Sequence, residues 1–212
     1  MLGAAILLTP EDVIARYQHA LAMEKGPPAY ICEYSIVDRG QRPTESTHRI
    51  FREGGRERDE LVSYNGQALG HPAVRIFARR VDPYAVTQLA PHPEGYAFTY
   101  VGAAHKGRSI QYVFNAFARG APAYQVTQLT IDGSTFLPLS ISFRTHSKNG
   151  EGSGEVTYQK VDRYWMPQTA SARAEVNGNL ETERIVWSNF QFYPNLPLST
   201  FAVPTAVLST QD

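Results

Sequence analysis

The chain has 212 residues and 23.6 kDa, with Lys+Arg and Asp+Glu both at 20, so its formal charge is zero and its pI near 7. That balance excludes the electrostatic footprint of a nucleic-acid binder, and the length sets one domain, or two small ones at most, with room for a substantial core. A lone cysteine, Cys32, excludes a disulfide or Cys-based metal site within these residues and reads as a small buried hydrophobe on a strand.

Met1–Leu8 is apolar, yet it is too short for a signal peptide or a span and carries no basic flank; it reads as a candidate remnant of an export signal. Thr9-Pro10-Glu11-Asp12 is a helix start, with Thr as N-cap, Pro at the first helical position and acids in the first turn. The helix predicted over residues 10–25 is amphipathic, Val13, Ile14, Tyr17 and Leu21 sharing one face until Gly26-Pro27-Pro28 stops it. Alternation begins at once with Tyr30, Cys32, Tyr34 and Ile36; the chain turns at Asp38-Arg39-Gly40, returns over Ser46–Glu53, turns at Gly54-Gly55, and runs over Arg56–Tyr64 to Asn65-Gly66.

Residues 67–94 break this grammar. His71-Pro72, Asp82-Pro83 and Pro91-His92-Pro93 leave Ala73–Val81 as a short periodic piece that fits strand or helix. Strand pattern resumes with Tyr96, Phe98 and Tyr100, then with Ile110, Tyr112, Phe114 and Ala116. Five segments follow: Tyr124–Ile131, Leu139–His146, Gly154–Val161, Gln168–Val176 and Leu180–Phe192. They are separated by Asp132-Gly133, Lys148-Asn149-Gly150, Asp162-Arg163 and Asn177-Gly178. Asn-Gly pairs are strong hairpin signals because a type I′ turn needs φ > 0 at both central positions.

About ten strands and one clear helix predict an α+β, mainly β fold: a strongly curved antiparallel sheet forming an unclosed half-barrel, with the N-terminal helix on its concave face. Residues 67–94 would lie over the mouth as a cover. The expected organisation is a single domain over 9–204 and a C-terminal tail over 205–212.

Two phrases carry a family resemblance. Ile131–Leu139 ends a strand in Asp, turns through Ser134-Thr135 and opens the next strand with Leu137-Pro138-Leu139; Val156–Pro167 is a strand, a tight connection, then Tyr164-Trp165-Met166-Pro167. Together with the closing Asn189–Phe192, Leu196-Pro197 and Phe201–Pro204, they make the chain resemble the LolA-type lipoprotein-carrier superfamily, including outer-membrane lipoprotein-sorting proteins and the amino-terminal domain of RseB-type sensors. The carriers' Arg-Pro…Phe-Arg-Trp phrase is represented here only by Ile50–Glu53, with Arg52 where a strand arginine would stand. The resemblance implies a periplasmic or otherwise extracytoplasmic half-barrel.

No catalytic constellation is present, and no cofactor is implied. The six histidines never fall at a metal-ligand spacing. Gly150–Gly154 reads as a flexible loop rather than a hydrolase elbow. The dense run Arg52–Glu60 reads as a solvated hairpin end of alternating charge. Trp165 and Trp187 are assigned to packing near a turn and the sheet edge. The 12 Tyr and 10 Phe are the stronger signal, because one helix cannot cover ten strands and the uncovered apolar face must meet a lid, a ligand or a protein. The expectation is an apolar cavity lined by Tyr34, Phe98, Tyr100, Tyr112, Phe114 and Phe143. It would serve a non-enzymatic binding protein for a hydrophobic ligand, a lipid or the acyl chains of a lipoprotein, with carrier as the specific role. The alternative is an RseB-like regulatory or structural interaction module acting with a membrane-associated partner.

Overall fold

A computed structural model describes residues 8–107, 109–147, 150–176 and 178–202. The export-signal remnant at 1–8 falls outside them apart from Leu8. The tail at 205–212 and the turn residues Lys148, Asn149 and Asn177 also fall outside.

The helix forms where its signals stand. Helix α1 spans Pro10–Met23; the Thr9 hydroxyl accepts a hydrogen bond from the Asp12 backbone N–H at 3.2 Å while Thr9 itself stays extended. Val13, Tyr17 and Leu21 are buried and Ile14 packs against the same core, so the apolar stripe is the buried face.

Eleven strands follow: β1 (Ala29–Arg39), β2 (Thr44–Glu53), β3 (Arg56–Tyr64), β4 (Gln67–Phe77), β5 (Tyr96–Lys106), β6 (Ser109–Ala118), β7 (Tyr124–Asp132), β8 (Pro138–Ser147), β9 (Gly150–Val161), β10 (Tyr164–Val176) and β11 (Asn179–Tyr193). All pairings are antiparallel, in the order β4-β3-β2-β1-β11-β10-β9-β8-β7-β6-β5. Two meanders, β1–β4 and β5–β11, are therefore joined side by side where β1 pairs with β11, from Ala29 opposite Tyr193 to Arg39 opposite Thr182. The sheet is open, with β4 and β5 as its two edges. Its concave face carries α1 and the main core, in which Phe114, Leu129, Ile131, Ile141 and Val156 are each no more than 1% exposed.

The turn chemistry acts as expected. Asn65 and Gly66 both have positive φ (47° and 77°), the requirement of a type I′ hairpin between β3 and β4. In the β7–β8 connection the Asp132 carboxylate accepts from the backbone N–H groups of Ser134 (3.0 Å) and Thr135 (2.8 Å), and Gly133 lies where a Cβ would sit 2.7 Å from the Ile110 carbonyl. The second family phrase becomes the β9–β10 hairpin; its Trp165 donates Nε1–H to the Pro138 carbonyl of the first phrase at 2.6 Å.

Four expectations need correction. Within 67–94, residues 67–77 are the edge strand β4 rather than cover; Pro72 is accommodated because the register shifts between the Leu61–Ala73 and Ser63–Ala68 pairs, so it falls in a bulge on an edge strand. Gly150–Gly154 is the start of β9, not a loop. Its glycines make room, since a Cβ on Gly154 would meet the Ser171 carbonyl and come within 2.6 Å of the Phe143 ring. The run Arg52–Glu60 is solvated only at its turn, Gly54-Gly55: Arg52, Glu57, Asp59 and Glu60 are buried, because strand periodicity turns Arg52, Glu57 and Asp59 onto the concave face. Trp187 stands on β11 at the middle of the sheet, not at its edge.

Candidate functional site

The topology forces a crossing. Strands β4 and β5 are consecutive in sequence but lie on opposite edges of the sheet, so the connection between them, residues 78–95, has to span it, and its contacts with Tyr17, Tyr30 and Trp187 place it on the concave side. A flat sheet of this order would be about 48 Å wide at the usual strand spacing. The connection could reach about 60 Å only if fully extended, which it is not, since it contains the turn of helix α2 (Val86–Leu89). Curvature of the sheet brings the two edges within its reach.

Polar contacts tie this cover at several points. The Tyr17 hydroxyl of α1 donates to the Pro91 carbonyl at 2.7 Å in a buried setting, and Gln18 donates to Glu94 at 3.0 Å. The Tyr30 hydroxyl donates to Asp82 Oδ2 at 2.8 Å, Arg52 lies 4.0 Å from the same carboxylate, and Arg80 pairs with Glu57 at 2.6 Å. Arg52 also pairs with Glu57. The apolar anchors are Val86, Ala90 and the Tyr84 ring, which meets Trp187 edge-on at 4.8 Å between centroids.

Two hollows lie on either side of Asp82. The inner one, about 210 Å³, is lined by Cys32, Tyr34, Ile36, Ile50, Ile185 and Trp187 from the sheet and by Pro83 and Tyr84 from the cover. The outer one, about 360 Å³, is lined by Pro27, Val81, Ala85, Val86, Trp165 and Met166. Tyr30, Arg52, Arg80 and Asp82 border both, so the clamp of the cover is also the partition between the hollows.

Charge is concentrated on this partition and beside it. Burial, then the Asp82 charge, push the Tyr30 hydroxyl above its ordinary pKa; the same two causes push up the Cys32 thiol, which stays protonated and unreactive at neutral pH. Burial raises Glu183 at the rim of the inner hollow, and the neighbouring Asp38 charge adds to this. Asp59 goes the other way. Burial opposes its charge, but the His48 ring at 2.7 Å and the Arg75 guanidinium at 2.8 Å outweigh that and hold its carboxyl below the usual range.

The six aromatics expected to line a cavity all belong to the concave side, in different places. Tyr34 walls the inner hollow, stacked on His48 at 4.8 Å. Phe98, Tyr100 and Phe114 border an open depression of about 710 Å³ between α1 and β5, with Ile14 and Pro93 opposite. Tyr112 is 3% exposed within the core. Phe143 packs on Tyr124 at 5.1 Å. The clamp residues Tyr30, Arg52, Glu57 and Asp82 were not singled out as a site from sequence, because they come together from three distant segments. The strand period of Glu57 and Asp59, opposite Arg52 and Ile50, was the available signal. Buried polar atoms without a partner among the described residues add to the polar character of this side: Arg52 Nε and the hydroxyls of Tyr124 and Tyr158.

No protein-family model matches the chain, and no curated protein does. Among solved structures, an outer membrane lipoprotein-sorting protein domain from Vibrio parahaemolyticus superposes with a TM-score of 0.52 at 13% identity, over 90% of this chain and 96% of that one. The chain shares the fold of that domain. A LolA superfamily protein from Nitrosomonas europaea is also similar, with a TM-score of 0.46 at 12% identity over 93% of this chain and 99% of that one. A DUF1329 family protein from Desulfovibrio piger gives 0.48 at 10% identity, over 90% and 95%. In this chain the half-barrel comprises a concave sheet, a helix laid in it, and a segment strapped across the remainder.

Proposed function

We propose that the protein is a non-enzymatic, extracytoplasmic binding protein that holds a hydrophobic ligand, a lipid or the acyl chains of a lipoprotein, beneath the cover formed by residues 78–95. One observation carries the reading. The apolar wall made by Ile36, Ile50, Ile185 and Trp187 faces a strap held largely by side-chain hydrogen bonds and ion pairs, with a hollow on either side of the strap's main clamp. A cover fastened through polar groups can exchange each of its bonds for a bond to water, so that each clamp bond to a charged group holds it by only about 1.5–3 kcal/mol net. Opening it joins two hollows, each near or below the usual lower bound of about 300 Å³, into a groove of the size that ligand sites occupy. The tyrosines Tyr30, Tyr34 and Tyr84 suit a ligand with an apolar tail and a polar head, because the ring supplies burial and the hydroxyl a hydrogen bond. The lipoprotein-sorting role in the name of the Vibrio protein accords with this use.

Titration with an environment-sensitive fluorescent fatty acid tests the reading. Saturable binding is expected, faster in Asp82→Asn, which loosens the cover, and weaker in Trp187→Glu, which charges the apolar wall. If neither the native chain nor Asp82→Asn binds the probe while both melt cooperatively, the ligand-binding reading fails and the interaction module takes its place.

A further inference from the structure

On the convex face, the strand register builds a row that neither the cover nor the hollows use. Arg144 on β8 stands opposite Ser153 on β9, Ser153 opposite Arg173 on β10, Arg173 opposite Thr182 on β11, and Thr182 opposite Arg39 on β1. The row reads Arg-Ser-Arg-Thr-Arg across five adjacent strands, so its arginines repeat every second strand, about 10 Å apart. Arg184 stands in the next row, opposite Ser171. These residues border a shallow depression of about 710 Å³. All four arginines are exposed, and among the described residues none of them has a carboxylate partner. Six other arginines, Arg49, Arg52, Arg56, Arg58, Arg75 and Arg80, are each ion-paired. In a chain of zero net charge, four guanidiniums gathered around Glu155, the single convex-face carboxylate of this depression among the described residues, form a localised positive field.

We propose that this row is a docking surface for an extended acidic segment of a protein partner. The spacing fits a segment in the extended polyproline II form, in which three residues rise about 9 Å and complete one turn, so that carboxylates at every third position share one face and meet successive arginines. Each arginine presents the planar fork that takes a carboxylate through two hydrogen bonds, and Ser153 and Thr182 supply hydroxyls between them. Glu155, in the second row between Ser142 and Ser171, narrows the choice of partner. A line of negative charge over the first row avoids it, whereas the anionic plane of a membrane would press on it. A single nucleic-acid strand would need aromatic platforms for its bases, and among the described residues the only ring bordering the depression, Phe143, is packed on Tyr124.

Fluorescence anisotropy of the full chain at low ionic strength tests this, with a fluorescein-labelled peptide of Asp-Ser-Ser repeats, the same peptide carrying Lys for Asp, and phosphatidylglycerol vesicles. Saturable binding of the Asp peptide alone is expected, and it should fade as salt screens the pairs. Arg173→Gln should weaken it about tenfold, Glu155→Gln should strengthen it, and Arg49→Gln, an already neutralised arginine on the same face, should leave it unchanged. All three replacements lie at exposed positions, and unchanged melting curves establish that the fold is intact. Failure of the Asp peptide to bind, or equal binding by Arg173→Gln, overturns the proposal. Vesicle binding that depends on Arg173 in place of peptide binding also overturns it, by assigning the surface to a membrane.

Discussion

Asp59 is 1% exposed and yet ionised, held by His48 on one oxygen and Arg75 on the other. Its folded-state pKa is lowered, so it contributes stability above the unfolded value of about 3.9 and that contribution is lost as pH falls through the lowered value. Asp132 acts with the same sign: burial works against its charge, but hydrogen bonds from Ser134 and Thr135 hold its carboxyl low. Melting temperature should therefore drop as pH falls below about 4, and Asp59→Asn should flatten part of that loss while costing about 3 kcal/mol at neutral pH, the low end for breaking a buried pair because Arg75 is largely exposed. A pH-melting profile identical in the variant would contradict this assignment. None of this was legible from composition. Arg52–Glu60 reads as a surface run when its charges are counted, and as half-buried only when the strand period is imposed on it. Tyr17 gives a second residue-scale prediction. Tyr17→Phe leaves the Pro91 carbonyl without its buried partner, which should cost about 1–2 kcal/mol and raise amide exchange across Val86–Leu89, measured by hydrogen–deuterium exchange.

At the scale of elements, α1 was the most legible piece, because cap, first-turn proline, acids and apolar stripe all agree and the structure uses every one of them. Thr9→Ala should cost about 1 kcal/mol through the lost cap. Ile14→Asp should cost several times that, because it sets an unpaired charge against the core where Ile14 packs; a melting temperature unmoved by this substitution would refute the docking of α1. The strands of the second meander were legible for the same reason, with turn chemistry falling where alternation breaks. Strand β4 was not. Pro72 and Gly70 speak against a strand unless the strand lies at an edge and bulges there, and edge position is a property of the whole sheet that no local signal contains. Gly152 and Gly154 misled in a similar way: they read as flexibility, whereas they are the spaces into which Thr145 and Phe143 pack.

At the scale of the molecule, the order of strands explains the site. Because β1 pairs with β11, the two meanders leave β4 and β5 at opposite edges, and the chain between them has to span the sheet, which it does by strapping the concave face. The half-barrel and its helix could be read from the pattern of elements. The clamp could not, since Tyr30, Arg52 and Asp82 are brought together only by that crossing. The central claim, that a hydrophobic ligand enters beneath residues 78–95, can be read by the chain's own fluorophores. It has two tryptophans, and Trp187 walls the inner hollow while Trp165 walls the outer. Bromine quenches indole only at contact, so the decisive measurement is tryptophan fluorescence during titration with a dibrominated stearate, repeated with Trp165→Phe and Trp187→Phe. The account predicts saturable quenching of both tryptophans, relieved by unbrominated stearate in competition. Unsaturable quenching, or none, in a chain that still melts cooperatively would contradict it.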